Sequence, residues 1–143
     1  MTFSSSFCGL ASEDSLIDLF WTMDSKKTLV LGASTNPNRY SFLAVNRLLD
    51  KGHQVVPVGI KKGEIAGIPI KNDFDQIDDI DTVTLYVGPQ NQKEYYDQIL
   101  KLNPRRVIFN PGTHNYKLIE KLEANGIETV DACTLVMLTA GTY

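Results

Sequence analysis

The sequence is short of cysteine, of net positive charge and of long apolar runs. Its two cysteines, Cys8 and Cys133, lie far apart and lack the spacing of a metal site, which predicts reduced thiols in a cytoplasmic protein. A net charge of −3 and a pI near 5.3 argue against nucleic acid or an acidic membrane as the main partner. No apolar stretch approaches the roughly 18 residues that a membrane span needs.

The usual sequence signs of catalysis are also missing. The chain shows no Ser–His–Asp order with an elbow motif, no paired carboxylates in a Gly-rich cleft and no metal-spaced cluster. We interpret His114 as an exposed loop residue and His53 as an ordinary residue at the start of a strand. We interpret Cys133 as a packed, inert thiol. The sequence therefore favours binding without catalysis.

The length of 143 residues, with 43% hydrophobic residues, predicts one domain with an apolar core. Residues 1–11 are Ser-rich and carry no basic segment, so we expect no secretory signal. Residues 12–21 have the pattern of a short amphipathic helix, whose apolar face needs a partner in its own domain or in another subunit. We predict an N-terminal extension over residues 1–25 and one domain over residues 26–143.

Apolar β-runs alternate with helical patterns through residues 26–143. This alternation predicts βαβ units, right-handed crossovers and an α/β, Rossmann-like three-layer sandwich. We expect a mostly parallel sheet of five or six strands in the order 3-2-1-4-5(-6). The patterns place strands near 28–31, 53–59, 64–70, 82–87, 106–109 and 129–131, and helices near 40–51, 91–102, 113–125 and 135–138.

Residues 28–41 form the central feature, because they predict a buried strand, a small-residue turn and a helix start. In open α/β sheets such a unit binds phosphate, since unpaired N–H groups and the positive end of the helix dipole face the anion. Gly32 permits close approach, and Ser34 and Thr35 add hydroxyl donors. Arg39 adds a charge that can contact phosphate in a bidentate way. An ordinary turn between a strand and a helix is the alternative.

The predicted topology also places the loops. Ligands of such sheets bind outside the carboxyl ends of the strands, at the switch point. Arg105 and Arg106 open their strand at the opposite edge, and we predict that they are solvated charges. The loops that should gather at the ligand edge contain residues 32–34, 59–61, 87–89, 110–112 and 132–133.

The dinucleotide fingerprint requires G-x-G-x-x-G and an acidic residue after the second strand. Ser34 and Pro37 stand where the second and third glycines belong, and residues 59–62 contain no acid. The sequence therefore lacks the two best local signals for NAD. Lysines at 61 and 62 suit a phosphorylated ribose, as in coenzyme A (CoA) or NADP, and a plain surface turn is the alternative.

Several short motifs together resemble the small stand-alone CoA-binding domain proteins, which are similar to the CoA-binding domain of succinyl-CoA synthetase α subunits. The resemblance covers roughly residues 26–135. It rests on Leu-Gly-Ala-Ser at 31–34, Asn-Pro-x-Arg-Tyr-Ser at 36–41, Val-Pro-Val-x-x-Lys at 56–61, Ile-x-Gly at 65–67, Asp-x-Val at 81–83 and Asp-x-Cys at 131–133.

This resemblance implies a Rossmann-like fold that binds CoA or an acyl-CoA at the carboxyl edge of the sheet. The loop after the first strand would hold phosphates, and Lys61 would approach the phosphorylated ribose. Residues 87–89 would border the nucleotide, and residues 110–112 would lie near the pantetheine arm. The implied binding residues are Gly32, Ala33, Ser34, Thr35, Asn36, Arg39, Tyr40, Lys61, Val87, Pro89, Asn110, Pro111 and Gly112.

The chain departs from these relatives at three places, one of which is residues 134–139, where the acidic residue that often follows the late cysteine is missing. Gly59-Ile60 stands where many have Asn-Pro, and residues 109–112 replace a Trp-x-Gln-x-Gly segment. We predict a carrier, sensor or partner subunit without catalytic machinery. One alternative is an NADP-binding or other nucleotide-handling enzyme, with Tyr40, His114 or Cys133 as candidate catalytic residues. The other is an interaction protein with a vestigial pocket.

Overall fold

The computed structural model describes residues 25–143. The predicted leader helix over residues 12–21 lies outside this part of the chain. Between residues 25 and 143, no helix is long and apolar enough to cross a bilayer. The elements in chain order are β1 (Thr28–Leu31), α1 (Tyr40–Asp50), β2 (Val55–Val58), β3 (Glu64–Ile65), β4 (Ile68–Pro69), β5 (Thr82–Leu85), α2 (Tyr96–Leu102), β6 (Arg106–Phe109), α3 (Tyr116–Ala124), β7 (Glu128–Asp131) and α4 (Thr134–Ala140).

The main sheet has five strands in the order β2-β1-β5-β6-β7, and every neighbouring pair is parallel. The predicted α/β, Rossmann-like fold is confirmed. The chain runs outward from β1 to β2 and then crosses back to β5 on the other side of β1. The crevice between the carboxyl ends of β1 and β5 is therefore the switch point, where open α/β sheets bind their ligands.

The predicted short strand over residues 64–70 forms a hairpin of β3 and β4 outside the main sheet. Gly67 turns the chain with a φ of 82°, and Pro69 has no N–H to donate to a ladder. Lys71 then makes a single parallel bridge with Val58. This bridge lies beside β2, at the position that the sequence assigns to its third strand.

The helix predicted to start at Asn91 starts at Tyr96, because two 3₁₀ turns precede α2. Gln92 lies between the two turns and is fully buried. Its Nε2 donates to the carbonyl of Val87 at 2.8 Å and to that of Thr113 at 2.7 Å. These bonds draw the segment inward and tie it to two loops at the carboxyl ends of the strands.

The two faces of the sheet carry different side chains. Toward α2 and α3, alternate strand residues such as Leu31, Leu85 and Phe109 join one apolar cluster. Toward α1 and α4, Val30 packs with apolar residues of the helices. On this second face β5 also presents polar residues, including the fully buried Thr84. The polar side chains buried on this side of the sheet therefore need hydrogen-bond partners within the protein.

Arg106 begins β6 at the amino edge of the sheet, which is the edge where the parallel strands start. The prediction that it is solvated is wrong, because it is only 6% exposed. Its Nε donates to Thr82 Oγ1, and an Nη atom donates to the carbonyl of Tyr143, both at 2.9 Å. The guanidinium also lies 4.5 Å from the centre of the Tyr143 ring. Tyr143 therefore covers this cation.

Arg105 is half-exposed and is paired rather than merely solvated. Its guanidinium donates to both carboxylate oxygens of Asp81, at 2.9 and 3.2 Å, and lies 3.4 Å from Glu128 Oε1. Partial burial alone would raise the pKa of Asp81. The hydrogen bonds from Arg105 and Thr82, together with the nearby positive charges, outweigh burial and lower that pKa below its usual range.

Candidate functional site

A cavity of about 550 Å³ opens at the switch point between the carboxyl ends of β1 and β5. It brings together the loop after β1 and the loop after β2, as the sequence predicts for a shared ligand edge. Arg39 and Lys61 both line it. The lining residues are Gly32, Ala33, Ser34, Thr35, Arg39, Gly59, Ile60, Lys61, Tyr86, Val87, Gly88, Asn91, Glu94 and Tyr95.

A second cavity of about 240 Å³ adjoins the first on the side of β6. The two share five lining residues and therefore form one continuous groove along the carboxyl edge. The shared residues are Gly32, Ser34, Arg39, Tyr86 and Gly88. The second cavity is completed by Tyr40, Ser41, Pro111, Gly112 and Thr113.

The turn after β1 requires glycine at its first position. Gly32 has a φ of 97°, and a Cβ atom there would lie 2.8 Å from the carbonyl oxygen of Tyr86. The amides of Gly32 and Ala33 both donate to the carbonyl of Val58 at 2.9 Å. These two amides are therefore engaged within the sheet, so any anion in this groove must be held by donors further along the loop.

The helices that follow the strands of the main sheet differ in the partners of their first amides. Asn115 caps α3, because its Oδ1 accepts from Lys117 N at 3.1 Å. The first amide of α4, on Thr134, donates to Asn110 Oδ1 at 2.8 Å. No side chain of the described residues caps α1, which follows the extended Arg39, or α2, which follows two 3₁₀ turns. The positive end of α1 is therefore left to face the groove.

The loop after β2, which we call the lysine loop (residues 59–63), packs directly against the loop after β1. A Cβ atom at Gly59 would lie 2.3 Å from Ala33 O, and one at Gly63 would lie 2.5 Å from Thr35 Cγ2. Only residues without a side chain fit at these two contacts. The close packing fixes the distance between the two halves of the larger cavity.

The cations of the groove are exposed and have no carboxylate partner. None of the four ion pairs found within residues 25–143 includes Arg39 or Lys61. The groove also contains one carboxylate, that of Glu94. With two cations and one anion, the cavity favours a negatively charged ligand.

Tyr86 lies at the centre of the groove and was missed by sequence reasoning. Its hydroxyl is buried near those of Thr84 and Thr134, which are hydrogen-bonded to each other. Burial raises its pKa well above the usual value for tyrosine, and the nearby Cys133 contributes. The strand alternation could have found this residue, because Tyr86 continues the series of Thr82 and Thr84 on one face of β5. It is also the first residue after the central strand.

Three predicted binding residues, Asn36, Pro89 and Asn110, line neither cavity. Asn110 is only 3% exposed. Its Nδ2 donates to Thr84 Oγ1 at 2.6 Å and to Leu85 O at 2.8 Å, while its Oδ1 accepts from the start of α4. All of its side-chain polar atoms are thus used within the fold, and it supports the neighbouring Pro111–Gly112 turn.

His114 and Cys133 lie near this edge but also line neither cavity. His114 is half-exposed, as predicted for a loop residue, with Nδ1 3.0 Å from a carboxylate oxygen of Asp131. The centres of its ring and of the Tyr116 ring lie 4.9 Å apart, with the two rings nearly perpendicular. Within residues 25–143, no cluster of three metal-ligating side chains is found.

Solved structures share this architecture. An uncharacterized protein is 57% identical, with a TM-score of 0.81, and the match covers 83% of this chain and 98% of that one. A hypothetical protein from Pyrococcus horikoshii OT3 is 30% identical, with a TM-score of 0.75 and 98% coverage of both chains. Cell-free ID.343 from Thermus thermophilus shares the fold at 20% identity, with a TM-score of 0.75 and coverage of 92% and 100%.

A search among curated proteins found no match. The sequence model of a protein family gives a positive result. Residues 26–139 match the family described as "CoA binding domain". This match spans nearly all of the described residues and includes both loops of the larger cavity. The chain therefore belongs to the CoA-binding domain family.

Proposed function

We propose that the protein binds CoA, free or acylated, along the groove and serves as a carrier, sensor or partner subunit. One observation carries the proposal. Arg39 and Lys61 line one cavity of about 550 Å³, and the uncapped start of α1 lines the adjoining cavity of about 240 Å³, which Arg39 also borders. Family membership supports CoA as the ligand class, and the following assignments rest on the geometry of the groove.

The pyrophosphate belongs at the loop after β1. Because the amides of Gly32 and Ala33 already donate to Val58, the donors come from further along the loop. Thr35 offers a hydroxyl and Arg39 a guanidinium, and the first amides of α1 supply the positive end of a helix dipole. Each charged hydrogen bond of this kind contributes about 1.5–3 kcal/mol.

The phosphorylated ribose belongs beside Lys61. In proteins that bind NAD, a carboxylate after the second strand holds the free ribose hydroxyls. Here the corresponding loop carries Lys61 at the cavity and no acid. An ammonium group at that point favours a ribose that bears its own phosphate, because the two charges are opposite.

The pantetheine arm then runs into the smaller cavity. That cavity continues from the phosphate loop toward Pro111 and Gly112 and is bordered by Tyr40. Its volume of about 240 Å³ suits the narrow arm and its thiol end better than a second nucleotide. Asn110 supports this wall from behind through its internal hydrogen bonds.

Isothermal titration of the intact chain with CoA, dephospho-CoA, NADP and NAD tests the proposal. We expect micromolar or tighter binding of CoA and about tenfold weaker binding of dephospho-CoA, the loss of one charged hydrogen bond. Lys61→Ala should remove this preference. Lys62→Ala is the matched control, since Lys62 does not line the cavity, and it should keep the preference. Saturation by NADP where CoA fails to bind would contradict the proposal.

A further inference from the structure

Asn72 lies behind the lysine loop and is not among the residues that line the cavity. Its side-chain Nδ2 donates to the carbonyl of Gly59 at 2.9 Å and to that of Lys61 at 3.2 Å. One amide group thus bridges two backbone carbonyls on either side of Ile60. The loop that presents Lys61 is held from the side remote from the ligand.

The backbone next to Asn72 is held in place by hydrogen bonds. The preceding residue, Lys71, donates to Pro57 O and accepts from Gly59 N, both at 2.9 Å. Together these two bonds form the single bridge that joins this segment to β2. The position of Asn72 is therefore fixed by hydrogen bonds between its neighbour Lys71 and the end of β2.

Packing against the loop after β1 holds the lysine loop at Gly59 and Gly63, but little else holds the tip between them. Ile60 is 84% exposed, so its side chain does not anchor the loop in the core. Gly59 and Gly63 flank the tip, and glycine restrains the backbone least of all residues. Lys61 also has a long, flexible side chain whose ordering on a ligand costs entropy. Hydrogen bonds to the backbone beside it reduce the freedom that binding must remove.

We propose that Asn72 is a positioning residue, whose side-chain amide holds residues 59–61 so that Lys61 selects a ligand with a phosphorylated ribose. This inference rests on the proposed function, because it assigns a role within the same CoA site. Asn72 is exposed, and it acts on the ligand only through the backbone that it holds.

The test compares the variants Asn72→Ala and Asn125→Ala with the intact wild-type chain. Asn125 provides the matched control, because its Nδ2 also donates to one backbone carbonyl, that of Lys121 at 2.8 Å, far from the groove. Affinities for CoA and dephospho-CoA are measured by calorimetry, and melting temperature is measured for each variant. We expect Asn72→Ala to reduce the preference for CoA about fivefold, within the range for neutral hydrogen bonds. Asn125→Ala should keep the wild-type ratio.

A double-mutant cycle separates positioning from a general effect on the fold. In a Lys61→Ala background, Asn72→Ala should leave the ratio of the two affinities unchanged. Amide hydrogen exchange of the free protein should also speed up at residues 60–63 in Asn72→Ala and stay constant at residues 36–39. An unchanged preference for CoA in the single variant would overturn this role while leaving CoA binding intact. Failure of the wild-type chain to bind CoA would overturn both proposals.

Discussion

The two edges of the parallel sheet carry similar cations and use them differently. At the amino edge, Arg106 is buried against Thr82 and Tyr143, and Arg105 is paired with Asp81. At the carboxyl edge, Arg39 and Lys61 line a cavity and take part in none of the ion pairs found between residues 25 and 143. The two arginines of the amino edge thus stabilise the fold, whereas Arg39 and Lys61 remain available to an anion.

The helix starts show the same division within the carboxyl edge itself. Side chains of the protein satisfy the first amides of α3 and α4, through Asn115 and Asn110. The start of α1 opens onto the groove without such a cap from the described residues. A polar group that the fold leaves unpaired beside a cavity indicates a ligand more specifically than charge alone, because buried or half-buried polar groups are otherwise satisfied.

The largest expected effect lies at the amino edge. Arg106→Ala removes two hydrogen bonds and a contact with the Tyr143 ring, and it should lower the free energy of unfolding by about 3 kcal/mol. Chemical denaturation measures this change. Affinity of the folded fraction for CoA should match that of the wild-type protein, since the two edges are separate. A fall in affinity with unchanged stability would contradict the comparison.

A smaller effect, on stability and on affinity for CoA together, is expected where the lysine loop packs against the loop after β1. Gly59→Ala places a Cβ atom against Ala33 O, and overpacking of this kind costs about 2 kcal/mol. We expect both a lower melting temperature and weaker binding of CoA. Gly67→Ala is the control, because space around that position is open and its positive φ affects stability alone. Equal affinity losses in the two variants would indicate that loop contact is irrelevant to the site.

Arg39→Ala should have the opposite effects from Arg106→Ala, with little change in stability and a clear loss of affinity for CoA. Arg39→Ala should change the free energy of unfolding by less than about 0.5 kcal/mol, as is usual for exposed positions. It should weaken CoA binding about tenfold, the loss of one charged hydrogen bond. Calorimetry and denaturation on the same preparation check both values. Loss of stability without loss of affinity would assign Arg39 to the fold instead of the ligand.

The smallest expected effect is on the pH dependence of stability, and it comes from the Asp81–Arg105 pair at the amino edge. The pKa of Asp81 is lower in the folded protein than in the unfolded chain, where it stays near 3.8. Its pairing with Arg105 therefore stabilises the fold above about pH 4, and this contribution is lost as the pH falls through the folded pKa. Because the pair is partly exposed, the contribution is about 0.5 kcal/mol. Asp81→Asn should remove this part of the pH dependence in denaturation curves recorded from pH 2 to 6.

Sequence patterns predicted the elements that depend on local chemistry. The apolar runs before Gly32 and Gly59 gave two neighbouring strands, and the alternation with helices gave the parallel sheet and its ligand edge. That order places the loops after β1 and β2, which line the larger cavity, at the same edge of the sheet. Residues 64–70 are predicted as one short strand, whereas in the structure they turn at Gly67 and form a hairpin outside the main sheet.

Other features depend on contacts between distant parts of the chain, which no local pattern reveals. Arg106 is buried because Tyr143, 37 residues later, covers it. The 3₁₀ turns before α2 follow from the bond between Gln92 and Thr113, which are 21 residues apart. Asn110 followed a strand, as a ligand residue would, but its partners Thr84 and Thr134 lie on β5 and α4.

The most direct test of the division between the two edges is an NMR titration of the ¹⁵N-labelled protein with CoA. The account predicts saturable shift changes at residues 34–41, 59–62, 86–95 and 111–113. It predicts no changes at Asp81, Arg105, Arg106, Glu128 or Tyr143. Shift changes concentrated at that second set, or no saturable changes at the first, would contradict it.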